Sequence, residues 1–282
     1  MPRHRPHSSD GSKRYHDRVA RQYDAIYDDP YWEFHDRLTW KHIKPHVPRD
    51  LSAQCADLGC GTGKWGMKLL KSGFATTFLD HSGAMIEKTR ANLDELGEGK
   101  KSRATLVVGD IVDMHDLPAD AFSLVLAMGD PLSICSDPAR AARDMHRITA
   151  PGGVVIATAD NKLAALDHFV AKGNIDALEA FVRSGKTNWL TRDEREQFEL
   201  KTFTIQSLRK LFEKAGFEVI DLIGKSIIPV RDNKRLLESP GAIERLTKLE
   251  EDLQADATSA ARAGHLQIVV RKPVTSTEAP AL

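Results

Sequence analysis

Glycines stand at 59, 61, 63 and 66, directly behind a carboxylate, in the run Ala56-Asp57-Leu58-Gly59-Cys60-Gly61-Thr62-Gly63-Lys64-Trp65-Gly66. Such a run turns a strand sharply into a helix and leaves the backbone bare for a ligand to approach. It reads in two overlapping ways. Gly59-x-Gly61-x-Gly63 and Gly61-x-Gly63-x-x-Gly66 point to different cofactors. A Walker phosphate loop is excluded, because Lys64 precedes Trp65 where that loop needs Ser or Thr.

Around this run the chain alternates short apolar stretches with helical ones. Strands are expected at 54–58, 75–80, 104–109, 122–128, 153–158, 217–223 and 266–271. Continuous apolar runs of that length, separated by helices, belong to a parallel sheet covered on both faces. Between them, Met85, Thr89, Leu93 and Leu96 share one face of a helix over 84–96. Asp137-Pro138 is an N-cap with a first-turn proline, opening a helix through Ile148. Thr204 caps another, whose Leu208, Leu211, Phe212 and Ala215 point inward and which Gly216 ends. Residues 162–200 break the rhythm with a stretch read as helical, too long for a connection, and therefore a cap or a packing appendage. Residues 1–12 read as a loose basic tail and 13–50 as a helical lid carrying Tyr15, Tyr23, Tyr27, Tyr31 and Trp32; the main domain spans 51–282.

Composition narrows the function classes. The 282 residues include 40 basic and 40 acidic side chains, which cancel, so a nucleic-acid partner is not expected. No apolar run approaches the ~20 residues that span a bilayer, so no membrane partner is expected either. Cys55, Cys60 and Cys135 make neither a disulfide framework nor a zinc ligand set, as suits a cytoplasmic protein. The oligomeric state stays open between monomer and homodimer.

Acidic residues distinguish the two readings of the glycine run. Asp57 sits at the tip of the first strand, Asp80 at the tip of the second, and Asp110 follows the third in Val107-Val108-Gly109-Asp110-Ile111. Such carboxylates suit ribose hydroxyls and an adenine amino group. With no phosphate-binding arginine beside them, they fit a phosphate-free ligand of sulfonium character.

This arrangement resembles the class I S-adenosylmethionine-dependent methyltransferases from about 53 to 223, with an echo at 264–272. Asp57 through Gly63 is similar to the family's first motif, Asp80 to its ribose-binding acid and Gly109-Asp110-Ile111 to its adenine motif. Phe122 through Asp130 is similar to the fourth motif, and Pro151-Gly152-Gly153 to the turn before strand five. The resemblance implies a Rossmann-like α/β fold whose seven-stranded, mostly parallel sheet has the order 3-2-1-4-5-7-6, with the last strand antiparallel. It also implies S-adenosyl-L-methionine as cofactor, held by Tyr23, Asp57, Gly59, Cys60, Gly61, Gly63, Asp80, His81, Met85, Gly109, Asp110, Ile111, Met128 and Gly129.

The expected reaction is SN2 transfer of a methyl group to N, C or O of a small aromatic or heteroaromatic metabolite, with N slightly ahead. Such a transfer compels no catalytic side chain; Asp130, His168 and Tyr27 are the candidates. Tyr27, Asp130, Asn161, Trp189 and Phe198 are the candidate acceptor contacts. The sequence Gly129-Asp130-Pro131-Leu132 lacks the aromatic that follows proline in enzymes methylating DNA or protein amides. Three alternatives remain beside this reading. Asp130 with Asp160-Asn161 imitates the magnesium site of catechol-type O-methyltransferases, although no metal site is assigned. A nicotinamide-dependent oxidoreductase would use Gly61-x-Gly63-x-x-Gly66, and a non-catalytic binder would close the acceptor side.

Overall fold

A computed structural model describes residues 8–189 and 191–274. Its strands are β1 (Gln54–Leu58), β2 (Ala75–Asp80), β3 (Ala104–Val108), β4 (Phe122–Ala127), β5 (Thr149–Asp160), β6 (Lys186–Trp189), β7 (Phe198–Lys201), β8 (Glu218–Lys225) and β9 (His265–Arg271). Seven of them form one sheet in the order β3-β2-β1-β4-β5-β9-β8. The first five run parallel, and β9 lies antiparallel between β5 and β8. Numbered within this sheet alone, the order is the expected 3-2-1-4-5-7-6.

Side chains alternate across the central strands, and each face carries its own core. Val125 and Ala127 of β4 pack with Met145, Ile148, Phe212 and Phe217. Leu124 and Leu126 face the opposite way, among Ile43, Trp65, Leu69 and Phe74. Both sets are apolar because helices cover both faces, so the strand reads as a continuous apolar run. The caps form as expected. The Asp137 carboxylate accepts the Ala139 and Arg140 amides at 3.0 Å, and Thr204 forms a capping box with Ser207. Strand order reverses between the parallel neighbours β1 and β4, whose following helices leave on opposite faces and open a crevice at the strand tips.

The structure departs from expectation at both appendages. Helix Ser8–Val19 begins inside the expected tail, and Ser12 is buried; residues 1–7 lie outside the described residues. Within 162–200, helices Leu166–Ala171 and Ile175–Ser184 are followed by an antiparallel hairpin of β6 and β7. Four-residue strands rich in polar side chains carry almost no periodicity, which is why this pair reads as helix from sequence. The Pro151-Gly152-Gly153 turn is a kink inside β5, where the Gly152 amide reaches the Lys272 carbonyl at 2.8 Å. No described helix is long and apolar enough to cross a membrane.

Candidate active site

The tips of β1 and β4 open into a cavity of about 710 Å³, within the range of roughly 300–1,000 Å³ typical of small-molecule sites. Its floor is the turn after β1, where Gly59, Gly61 and Gly63 take φ of 63°, 55° and 86°. A side chain disfavours that left-handed backbone. Two carboxylates brace the turn. Asp57 Oδ2 accepts the Gly66 amide at 2.7 Å, and Asp80 Oδ2 accepts the Gly61 amide at 2.8 Å. Asp80 Oδ1 also accepts the Ser82 amide at 2.8 Å. Each Asp80 oxygen keeps a second lone pair for a ligand hydroxyl. Burial pushes the Asp57 carboxyl up to about 7, although the Gly66 amide pulls the other way.

Asp110 and Ile111 from the loop after β3, and Met128 and Gly129 from the end of β4, form the walls. The N-terminal segment forms the roof with His16, Tyr23, Tyr27 and Trp32. Two hydrogen bonds pin this roof. Ser82 Oγ donates to Asp17 Oδ1 at 2.5 Å, and Thr62 Oγ1 donates to Asp24 Oδ1 at 2.6 Å. Between them runs a chain of aromatic rings, with Tyr23 4.8 Å from Tyr27 and Tyr27 4.7 Å from Trp32. No arginine is among the described lining residues, so nothing there clamps a phosphate as a guanidinium does. Bare glycine backbone beside Asp80 and Asp110 instead fits an uncharged nucleoside joined to a cationic sulfonium.

Residues 55–153 match a family described as Methyltransferase domain. Over 217 residues the chain is 27% identical to the demethylmenaquinone methyltransferase of Staphylococcus epidermidis, covering 74% of this chain and 84% of the relative. A chain of the Haloferax volcanii complex between the Trm112 methyltransferase activator and a methyltransferase superposes with a TM-score of 0.61 at 18% identity, over 95% of this chain and 100% of that one. An S-adenosylmethionine-dependent methyltransferase from Mesorhizobium loti superposes with a TM-score of 0.54 at 18% identity, over 83% and 98%. The chain has the class I S-adenosylmethionine-dependent methyltransferase fold. S-adenosyl-L-methionine is its cofactor.

In this fold, Tyr23, Tyr27, Gly59, Cys60, Gly61, Asp80, His81, Asp110, Ile111, Met128 and Gly129 come together on the cavity wall. Other residues singled out from sequence stand behind it. Asp57 faces the helix through Gly66, and Gly63 abuts Thr89 and Met67. Met85 is fully buried beneath the roof against Val19 and Ala20. The Gly109 amide is tied to the Asp80 carbonyl at 3.0 Å.

Asp130 also lies behind the wall, in a polar cluster that sequence showed only in part. Its Oδ2 is 2.9 Å from His265 Nδ1, and Asp160 Oδ1 is 3.9 Å from the same nitrogen. Burial pushes the Asp130 carboxyl up, but the imidazolium beside it holds it below the usual carboxylate range. Burial likewise pulls His265 down, and the Asp130 charge more than reverses that. Burial and the Asp130 charge push Asp160 up to about 6. Ligand atoms of Asp130, Asp160 and His265 lie within 4.8 Å of one another, a spacing that among the described residues could hold a cation.

Asn161 is not part of that set. Its amide donates to the carbonyls of Ala260, Ala261 and Ala263 at 3.2, 3.0 and 2.6 Å, while Oδ1 accepts the Leu163 amide at 3.1 Å. Its amide nitrogen ties the end of β5 to the turn before β9, and its oxygen shapes the turn that leaves β5. The aspartate–asparagine pair therefore does not form the expected imitation of a magnesium site.

His168, Trp189 and Phe198 are not on the cavity wall either. His168 packs edge-on to Phe169 in the first helix of the insertion. Trp189 and Phe198 sit opposite each other across the hairpin and pack on Tyr15, at ring distances of 5.8 and 6.1 Å. No described residue of 162–200 lines the cavity, so the insertion neither roofs nor plugs it. It buttresses the roof from outside, where Arg18 Nε donates to Glu196 Oε1 at 2.6 Å.

Sequence reasoning missed His35, Asp36 and Thr39 on helix Pro30–Ile43, and Lys225 at the end of β8, all of which line the cavity. The three helix residues belong to no motif. Lys225 did carry a signal, as the lone charge in Leu222-Ile223-Gly224-Lys225-Ser226-Ile227-Ile228. A charge in the middle of an apolar run is either mispaired or used.

Proposed function

We propose that the protein methylates N, C or O of a small aromatic or heteroaromatic molecule held between the glycine turn and the N-terminal roof. The observation that carries this reading is the aromatic composition of the cavity wall. Tyr27 and Trp32 of the roof, Trp65 of the helix after the turn, and Met128 of β4 all line it. Flat, polarisable walls of this kind favour a planar ring. When bound, S-adenosylmethionine supplies a methyl group already activated on a sulfonium.

The chain's own task is then to align the acceptor and keep water out, which can supply much of the acceleration. Gly129 carries no side chain, and a Cβ built there would meet nothing within 4 Å, so the wall after β4 leaves space for an acceptor. Asp130 stands behind that wall in its pair with His265 and is better placed to fix the local backbone than to touch an acceptor. Similarity to a relative named as a demethylmenaquinone methyltransferase supports transfer to a small molecule.

Calorimetric titration with S-adenosylhomocysteine and with NADH tests the cofactor side, and turnover of methyl-labelled S-adenosylmethionine against a panel of aromatic amines, phenols and carbon nucleophiles tests the acceptor side. Binding of S-adenosylhomocysteine alone, followed by label transfer to an aromatic acceptor, is expected. Tight NADH binding with no response to S-adenosylhomocysteine overturns the reading.

A further inference from the structure

Lys225 is 1% exposed, yet it is one of the residues that line the cavity. Its Nζ donates to Thr39 Oγ1 at 2.9 Å, a neutral partner. Among the described residues no carboxylate oxygen lies within 4.0 Å of it. The acids around it are engaged with other cations. Asp36 pairs with Lys64, and Asp130 pairs with His265 at 2.9 Å. An ammonium offers three N–H donors, so Lys225 has two beyond the bond to Thr39.

His35 stands on the same wall, one helical turn before Thr39, and Thr39 Oγ1 donates to the His35 carbonyl at 2.9 Å. Neither buried ring nitrogen of His35 makes a hydrogen bond, the nearest acceptor being Asp36 Oδ1 at 3.7 Å from Nδ1. A buried cation without a carboxylate, beside a buried imidazole without a partner, is costly to the free protein unless a ligand completes both. The His35 ring packs edge-on to Trp32, 5.3 Å between centroids, and Trp32 lines the same cavity.

We propose that Lys225 and His35 form a recognition site for an anionic oxygen on the methyl acceptor, carried as a carboxylate or as an ionised ring hydroxyl. Lys225 supplies the charge and His35 a further hydrogen bond, while the aromatic walls hold the ring itself. Burial lowers the Lys225 ammonium to about 8, with Asp130 and Asp36 resisting the shift, so the cation persists at neutral pH. Burial, then the Lys225 charge, lower His35 to about 3, so it stands as a neutral imidazole with one donor and one acceptor nitrogen. Lys225 is the buried lysine among the described lining residues; Lys71 is exposed, and Lys64 is half-exposed and already paired with Asp36.

This inference rests on the proposed methyl transfer, and the experiment separates the two. Calorimetry of the full-length protein is run first with S-adenosylhomocysteine, then, on the loaded protein, with benzoate, 4-nitrophenolate and benzamide. Absence of S-adenosylhomocysteine binding fails the functional reading. With that binding in place, benzoate or 4-nitrophenolate is expected to bind at least tenfold tighter than neutral benzamide. Whichever of the two anions binds tighter tells a carboxylate from an ionised hydroxyl. In Lys225→Met the anion's advantage should vanish while the S-adenosylhomocysteine constant stays within twofold of the parent; Lys225→Gln serves if the first variant does not fold. The proposal is overturned if benzamide binds as tightly as both anions, if neither anion binds the loaded protein, or if the advantage survives in the lysine variants.

Discussion

The Gly61 amide donates to Asp80 Oδ2 at 2.8 Å, so the tip of β2 holds the glycine turn that leaves β1. One carboxylate thus shapes the floor of the cavity and also faces into it. Asp80→Ala is therefore expected to raise the dissociation constant for S-adenosylhomocysteine by about tenfold or more, the equivalent of losing roughly 1.5–3 kcal/mol of charged hydrogen bonding. Calorimetry checks this. A constant equal to the parent's would remove Asp80 from the cofactor site.

Gly66 brings the helix of residues 64–71 against β1 and β2. A Cβ built there stands 2.4 Å from the Phe78 ring and 2.9 Å from Asp57 Oδ2. Alanine would gain about 1 kcal/mol of helix propensity. The overlap with a buried ring and a strand costs more, about 1–3 kcal/mol or above. Gly66→Ala should accordingly lower the urea midpoint, and pairing it with Phe78→Leu should recover part of the loss. A stabilised single variant would contradict the packing described.

Asp57 links stability to pH. An unfolded aspartate ionises near about 4, whereas burial holds the native carboxyl up to about 7. Between these values the unfolded chain has released a proton that the native chain retains, so rising pH favours unfolding. The Asp57 contribution is whole below about pH 4 and is lost progressively up to about pH 7. Asp57→Asn keeps an oxygen for the Gly66 amide and escapes that loss. Relative to the parent, it should gain on the order of a few kcal/mol between pH 4.5 and pH 8. Urea unfolding of both proteins at the two pH values measures the difference, and an equal gap at both would refute the assignment.

The roof is fastened at Asp24–Thr62 and Asp17–Ser82. Thr62→Val removes the first hydroxyl without changing the side chain's shape. Its loss should speed S-adenosylhomocysteine release several-fold, in line with about 1 kcal/mol for a partly exposed charged hydrogen bond. Asp24→Asn should act on the same step, and the double variant should add little to either single one. Stopped-flow displacement reads the rates. Fully additive effects would mean that the two residues do not act through their mutual bond.

Much of this protein was legible in its sequence because the decisive signals are local. Glycine at 59, 61 and 63 answers to backbone dihedrals that no other residue adopts readily. Asp57, Asp80 and Asp110 follow short apolar runs, and in a parallel sheet the ends of such runs all meet at one edge. The order of the seven strands was expected from the resemblance to the class I methyltransferases, since the rhythm of strand and helix gives strands but not their pairing. The acceptor end was not legible, since Lys225, His35, Thr39 and the Asp130–His265 pair are brought together from distant segments with no shared spacing. Asn161 and the Trp189–Phe198 pair show the converse. Their chemistry suits a binding site, but the turn before β9 and the N-terminal helix engage them, Asn161 by hydrogen bonds and the aromatic pair by packing. Backbone conformation is decided by near neighbours along the chain, so sequence alone determined the strands, the helices and the glycine floor. Which buried charges find a partner and which are left facing the cavity depends on distance in space, and only the tertiary structure decided that.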